Sequence, residues 1–240
     1  YNPESHDYYE SRNGSLFKGS ASIGLHGWME TNRAKKYNGN AYYWIGIDKL
    51  LKGRRYEFGL AHQYRFNDKF SLSQGINYYP SVNEAGFYSN FVDPGSRAMP
   101  VLLFSKRNRN TVEQTVQAKY NFNKRSGLSL RLRHYWSEVE HKALYDLKED
   151  GRLIQTSLQN IEVENKSQNF FNIDMGYSLQ FAPGSFINIV WKEESSVYDN
   201  ATSESYLFNL QKTVAVPQNN NLSVKVIYFL DYIDLKKAER

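Results

Sequence analysis

Residues 171–181 alternate strictly between apolar and other side chains, and this alternation limits the possible folds more than any other feature. The odd-numbered positions are all apolar: Phe171, Ile173, Met175, Tyr177, Leu179 and Phe181. The even-numbered positions are polar or glycine: Asn172, Asp174, Gly176, Ser178 and Gln180. Successive side chains of a β-strand point to opposite faces. The alternation therefore predicts a strand with one apolar and one polar face.

The same period of two recurs along most of the chain, for example at 56–67, 128–133 and 223–232. Turn residues separate the alternating runs. Together these signals predict nine strands, at 20–32, 37–48, 54–67, 69–80, 109–123, 127–147, 165–182, 184–197 and 221–235. The predicted fold class is all-β and antiparallel.

The connections between the predicted strands are of two kinds. The short ones are tight turns, at 67–69, 123–127 and 182–184. The others are long and irregular, at 80–110, 148–165 and 198–220. Tight turns at one end and long loops at the other are typical of outer-membrane β-barrels. We therefore expect the long connections on the cell surface and the tight turns in the periplasm.

The last long connection contains an ambiguous segment. Tyr206, Phe208 and Leu210 alternate and could form a tenth strand, but placing Tyr206–Val214 in a loop keeps the tight turns on one side. Bacterial single-chain barrels normally have an even number of strands. Nine strands therefore predict further strands upstream, and residues 1–12 do not resemble the signal peptide that export requires. We expect a native protein larger than 28.0 kDa.

Composition fits a membrane barrel better than a soluble domain. Aromatic residues make up 15% of the chain, which favours interfaces that are apolar on one side and wet on the other. No run of 18 apolar residues occurs, so a membrane-spanning helix is excluded. The mean hydropathy of -0.67 is compatible with a transmembrane β-barrel, because only alternate strand residues face lipid. A soluble antiparallel barrel is the alternative fold.

Charge and cysteine content exclude several functions. The chain has no cysteine, so disulfides and thiolate metal sites are absent. The net charge of +5 is spread among interspersed acids and bases, which argues against nucleic acid as a partner. No histidine pair has metal-ligand spacing, and we expect neither metal nor cofactor. His134, Ser137 and His141 lie close in sequence but lack a catalytic signature, so an enzyme is not expected.

Several motifs resemble one family. They are Lys119–Asn123, Leu130–Ser137, Phe181–Ser185, Val190–Lys192, Pro217–Asn220 and Val226–Tyr232. Their order and spacing resemble the C-terminal domain of Bacteroidota envelope proteins called domain of unknown function 5916. This domain usually follows a carbohydrate-binding module of the family-nine type. The resemblance implies that residues 1–240 are the C-terminal barrel portion of a longer protein, whose sugar-binding module and first strands lie upstream.

In each predicted strand, the alternate positions that are mostly polar should face the barrel interior, and they include candidate site residues. Trp28, Tyr42 and Trp44 could stack on sugar rings, or could pack against a plug or fill the lumen. The lumen charges could set selectivity, or could pair across strands. They are Glu57, Arg65, Glu113, Lys119, Arg131, Arg133, Asp174, Lys192 and Lys225. The alternate positions that should face lipid include four expected membrane-interface anchors, Trp136, Trp191, Tyr228 and Tyr232.

These expectations combine into one functional hypothesis with two alternatives. The chain is expected to act as a pore or docking scaffold in the outer membrane of a Gram-negative, Bacteroidota-like bacterium, linked to glycan binding or uptake. The first alternative is a structural or accessory subunit of a larger outer-membrane complex, with a plugged lumen. The second is an enzyme at the barrel rim. Expected partners are outer-membrane lipid and lipopolysaccharide, with glycan and other outer-membrane proteins as further candidates.

Overall fold

The computed structural model describes residues 1–91, 101–158, 161–200 and 204–230. Over these ranges the fold is all-β and antiparallel, with a single helix. The elements are β1 (Ser5–Asp7), β2 (Phe17–Gly19), β3 (Ser22–Glu30), β4 (Tyr37–Asp48), β5 (Arg54–Arg65), β6 (Phe70–Tyr78), β7 (Ser81–Phe91), β8 (Val101–Asn123), β9 (Ser126–Leu147), β10 (Leu153–Gln155), β11 (Lys166–Ala182), β12 (Ser185–Asp199), α1 (Tyr206–Ala215) and β13 (Asn219–Ile227).

Apart from the small β1–β2 hairpin, the strands form one sheet in the order β13-β12-β11-β9-β8-β6-β5-β4-β3. β7 continues the line of β6 beyond Pro80 and pairs with the start of β5 and with β8. β10 pairs with the end of β9. Among the described residues, β3 and β13 each have a strand neighbour on one side only. Within the described ranges the sheet therefore has two edge strands, and the outer edge of β3 carries one isolated bridge, between Ser22 and Asn2.

Because neighbouring strands are antiparallel, the connections fall at two ends of the sheet. We call one the turn end; it holds the β3–β4, β5–β6, β8–β9 and β11–β12 connections. The other, the loop end, holds the β4–β5, β9–β10 and β12–β13 connections. The three predicted tight turns all lie at the turn end. The predicted long connections 148–165 and 198–220 begin and end at the loop end.

The segment 80–110 differs from the prediction of a long irregular connection. It contains β7 and the first part of β8. The pairing of β7 with β8 shifts between Ser81 and Glu84 and again between Phe87 and Ser89. Such bulges break the period of two, so strict alternation does not reveal the strand. Pro94 and Pro100, which supported the loop prediction, lie outside the described residues.

Tyr206–Val214 forms neither the predicted loop nor the alternative tenth strand, because it belongs to helix α1. Ser205 precedes the helix, and its hydroxyl accepts a hydrogen bond from the Phe208 backbone N–H at 3.3 Å. This cap satisfies one of the amide groups that a helix start leaves unpaired. The final predicted strand, 221–235, corresponds to β13, and residues 231–240 lie outside the described ranges.

The strand register sorts the side chains onto two faces. On the apolar face, Met175 of β11 lies between Leu130 of β9 and Trp191 of β12. Neighbouring side chains on the polar face include Asp174, Arg131 and Lys192. Large side chains on the apolar face are exposed, including Leu25, Ile47, Leu60, Met175 and Val224. Within the described part of the chain, these positions of the apolar face therefore have no protein cover.

The buried apolar core lies at the loop end instead. Phe17, Phe104 and Leu147 form its centre, and the rings of Phe17 and Phe104 stack with centroids 4.9 Å apart. The β1–β2 hairpin joins this core, and the Lys18 amide donates to the Gly151 carbonyl at 2.8 Å. No helix in the described ranges is long and apolar enough to cross a membrane.

Candidate binding surface on the polar face

The register brings the candidate interior residues to the polar face, although they lie on eight different strands. These residues are Trp28, Tyr42, Trp44, Glu57, Arg65, Glu113, Lys119, Arg131, Arg133, Asp174, Lys192 and Lys225. Antiparallel pairing without a bulge keeps alternate residues of neighbouring strands on one side. The parity argument from the sequence therefore predicts which residues share this face.

Two aromatic rings lie across glycines on the polar face. A methyl group at Gly46 would stand 2.0 Å from the Trp44 ring, and one at Gly24 would stand 3.0 Å from it. At Gly59 the corresponding distance to the Tyr42 ring is 2.0 Å. The rings therefore occupy the space that side chains at these glycines would fill. Trp44 and Tyr42 form an aromatic platform supported by the backbone of β3, β4 and β5.

Hydrogen-bonding groups surround the aromatic platform. The Tyr42 hydroxyl lies 3.4 Å from both the Asn77 side-chain oxygen and the Tyr79 hydroxyl. Trp44 is paired in register with Glu57. A pocket of about 220 Å³ beside the platform is lined by Arg55, Glu57, Tyr79, Arg109, Glu113 and Tyr135 among others. Apolar ring faces next to hydroxyl, amide and charged groups suit a ligand that carries many hydroxyls.

Trp28 does not belong to this platform. It lies on the edge strand β3, in register with Tyr42, but its side chain is 76% exposed. The three predicted aromatic residues thus share a face, but only Tyr42 and Trp44 lie across glycines of neighbouring strands.

The polar-face charges are partly paired across strands. Glu113 and Arg133 approach to 3.8 Å, and Asp174 and Lys192 to 4.0 Å. The Arg65 side chain instead donates to backbone carbonyls of the β3–β4 connection, including Lys35 at 2.8 Å. Among the described residues, Arg131, Lys119 and Lys225 have no ion-pair partner; they lie in the part of the polar face nearer the turn end. This part is accordingly rich in open cationic groups.

A second charged cluster lies at the loop end, where sequence reasoning did not identify one. Arg107 contacts Glu84 at 2.8 Å, and Arg109 contacts the other Glu84 oxygen at 3.0 Å. Ser81 donates to Glu84 at 2.6 Å, and Glu10 reaches Arg107 at 3.8 Å. Burial alone would raise the pKa of Glu84, but Arg109, Arg107 and Ser81 hold this pKa below its ordinary value. The β7 bulges place these residues together and also hide the pattern in the sequence.

The predicted interface anchors have different environments on the apolar face. Trp191 donates to the Asn220 side chain at 2.9 Å, and the Tyr228 ring stacks on Phe181 with centroids 6.2 Å apart. Trp136 is only 8% exposed, because Tyr206 of α1 packs over it at 6.0 Å between ring centroids. The prediction that Trp136 is exposed at an interface is therefore wrong. Tyr232 lies outside the described residues.

The two histidines on β9 are each in contact with a hydroxyl group. His141 Nδ1 lies 2.7 Å from Ser105 Oγ, and Ser105 is fully buried. His134 Nδ1 lies 3.0 Å from the Tyr206 hydroxyl beneath α1. In the described ranges, no group of three or more metal-ligating side chains is placed to hold a metal ion.

These features define the class of protein: an all-β antiparallel sheet with one apolar face, one polar face and a buried apolar core at the loop end. Within that class, the chain belongs to the family "Domain of unknown function (DUF5916)", whose model matches residues 1–239. No curated protein matches the chain. A solved structure similar to it is the toluene transporter TodX of P. putida, with a TM-score of 0.35 and 9% sequence identity. The similarity covers 80% of this chain and 63% of the transporter.

Proposed function

We propose that this chain forms most of the wall of a transmembrane β-barrel in the outer membrane of a Gram-negative bacterium. The apolar face carries the proposal. Side chains such as Leu25, Leu60 and Met175 stand open along it, and in water they would expose a large continuous apolar surface. Lipid acyl chains would cover that surface, and the strand ladder pairs the backbone polar groups that hydrocarbon cannot solvate.

The open edges define what the barrel still requires. In the described ranges, nine strands lie across the sheet from β13 to β3, so these two edge strands run in the same direction. An antiparallel barrel can close between them only through an odd number of additional strands. We propose that further strands of the native protein supply this closure, which gives the even total typical of bacterial barrels.

The polar face would then line the interior, where we propose a glycan-binding or glycan-conducting function. Support comes from the aromatic platform of Trp44 and Tyr42, because flat ring faces stack on the apolar faces of sugars. Retention of soluble glycans in affinity electrophoresis tests this. Trp44→Ala should abolish the retention, whereas Tyr43→Leu, at the adjacent position on the apolar face, should preserve it. Equal retention by both variants would contradict the glycan site.

Membrane insertion is tested by labelling two positions on opposite faces of β11. The chain contains no cysteine, so Met175→Cys and Ser178→Cys each carry a single polarity-sensitive fluorophore. In vesicles containing brominated phospholipid, the label at Met175 should lose most of its emission. The label at Ser178 should keep it. Equal quenching at the two positions would contradict the proposed orientation of the faces.

A structural subunit with a plugged lumen is the second candidate. Support comes from the cross-strand pairs Glu113–Arg133 and Asp174–Lys192, which would stiffen a wall without serving transport. Conductance of the native protein in planar bilayers separates the two functions. Stable open channels favour the pore, whereas membrane insertion without conductance favours the plugged subunit.

A further inference from the structure

Helix α1 turns polar side chains towards the sheet and apolar side chains away from it, which is the reverse of the usual arrangement. Its inward positions include Asn209 and Thr213, which are 3% and 0% exposed. Its outward positions include Leu207, Phe208 and Val214, which are 67%, 49% and 47% exposed. A helix packed on a soluble protein ordinarily buries its apolar side and presents its polar side to water.

Hydrogen bonds hold the inward side of α1 to the sheet at both ends of the helix. The Tyr206 hydroxyl donates to the Gln114 side chain at 2.7 Å. Near the C-terminus, the Ser195 hydroxyl donates to the Thr213 carbonyl at 2.8 Å. Buried polar groups that are paired in this way fix position and orientation, because separation would leave each partner unsatisfied.

A third hydrogen bond anchors the middle of α1. The Asn169 side-chain amide donates to the Asn209 side-chain oxygen at 3.1 Å, and both residues are buried. These bonds leave the outward residues of the helix free of the sheet. Leu207 and Phe208 are therefore exposed because the hydrogen bonds fix the opposite side of α1 against the sheet.

The location of α1 indicates what contacts its outward side. The helix packs on the apolar face, at the point where the strand residues change from apolar to polar. On β9 this change occurs between Leu132 and His134, and on β12 between Trp191 and Glu193. α1 covers the residues beyond the change, which are the polar His134, Asn169 and Ser195 together with Trp136. Its outward side therefore continues the exposed apolar surface towards the loop end.

We propose that α1 is an interfacial helix, whose outward side contacts lipid where acyl chains meet headgroups. This inference rests on the proposed membrane insertion. A lipid boundary places Leu207, Phe208 and Val214 in an apolar medium, while the polar inward side remains paired with the sheet. Lys212 lies at the flank of the helix, bonded to Asp199 and 3.9 Å from Glu204, and its charge is thus directed away from the acyl chains.

Fluorophores on single cysteines test the inference in brominated-lipid vesicles. Phe208→Cys and Leu207→Cys report on the outward side of α1, and Met175→Cys reports on the middle of the apolar face. Asp150→Cys, in the exposed β9–β10 turn, is the control outside the bilayer. We expect the labels at 207 and 208 to lose most of their emission with bromines near the headgroups, and less with bromines near the chain ends. Asp150 should show no loss.

The outcomes separate this inference from the proposed function. If Met175 is quenched and both helix positions are not, α1 does not contact lipid, although the chain still spans the membrane. A partner protein on α1 would give that result, with emission insensitive to brominated lipid. If Met175 is also unquenched, membrane insertion itself fails. Two helix positions are used so that poor folding of one variant does not decide the result.

Discussion

Residues of the same strand, β11, lie on opposite faces of the sheet and should be in different environments. Met175 lies on the apolar face between Leu130 and Trp191, whereas Ser178 lies on the polar face of the same strand. Both side chains are exposed in the isolated chain. In a membrane, the first contacts hydrocarbon and the second faces the interior, so one substitution has a different cost at each site.

Arginine distinguishes these two sites. Met175→Arg should reduce the free energy of unfolding by about 2–4 kcal/mol, because a charge near the bilayer midplane must leave water. Ser178→Arg should cost far less if the interior is wet. Urea titration of the protein in vesicles, followed by gel mobility of the folded form, measures both values. Similar losses for the two variants would contradict the face assignment.

His141 should make the loop end sensitive to acid. Burial, together with the nearby cations Arg107 and Lys166, lowers the pKa of His141 to about 4. An opened loop end would bind a proton near the ordinary histidine pKa of about 6.5, so its folded form should lose stability as the pH falls between these values. Above about pH 6.5 this contribution is fully present.

Hydrogen exchange measures the effect of His141. Protection factors of amides 102–107, corrected for intrinsic exchange, should be lower at pH 5 than at pH 7. His141→Gln should remove most of this difference while keeping a polar group near Ser105. A difference that persists in His141→Gln would assign the acid sensitivity to another group.

Among the elements, α1 depends on its buried polar contacts. Asn209→Ala should weaken docking of the helix by about 1–3 kcal/mol, because the Asn169 amide loses its closer partner. Gln211→Ala is the matched control on the exposed side of the same helix. Faster hydrogen exchange over 206–213 in the first variant only is expected. Equal exchange in both variants would show that the hydrogen bond does not hold the helix.

Some elements of secondary structure could be predicted from the sequence, and others could not. The strands whose alternation is unbroken, such as β11, were predictable because a period of two reports directly on a two-faced strand. β7 was not, because bulges near Ser81 and Phe87 interrupt its period. α1 was mistaken for a loop because its apolar residues face away from the protein. Periodicity predicts which side chains share a face, but not which of those faces is covered.

The candidate site was likewise predictable only in part from the sequence. Parity alone places Tyr42, Trp44 and Glu57 on one face. The position of the Trp44 ring across Gly24 and Gly46 depends on neighbouring strands in register, which no local pattern specifies. The Glu84–Arg107–Arg109 cluster needs the bulged geometry of β7 as well. The sequence therefore predicted which residues lie on the polar face. The arrangement of the aromatic platform and of the Glu84 cluster depends on how neighbouring strands pair.

For the whole molecule, we predict that the loop end lies on the cell surface and the turn end in the periplasm. Long connections of outer-membrane barrels are extracellular and tight turns are periplasmic. Labelling of intact cells with an impermeant thiol reagent measures this. Asp150→Cys, at the loop end, should react, and Asp68→Cys, at the turn end, should react only after the cells are broken. The reverse pattern would mean an inverted orientation.

The length of the β8–β9 hairpin has a consequence for how the molecule unfolds. Its strands contain 23 and 22 residues, whereas a crossing needs only about 9–11. In the proposed barrel, about half of the hairpin would therefore project beyond the bilayer, where Phe17, Phe104 and Leu147 form a buried core. The projecting half and the embedded half would then be separate cooperative units that share two continuous strands. Shortening the detergent chain should lower the melting temperature of the embedded unit and leave that of the projecting unit unchanged.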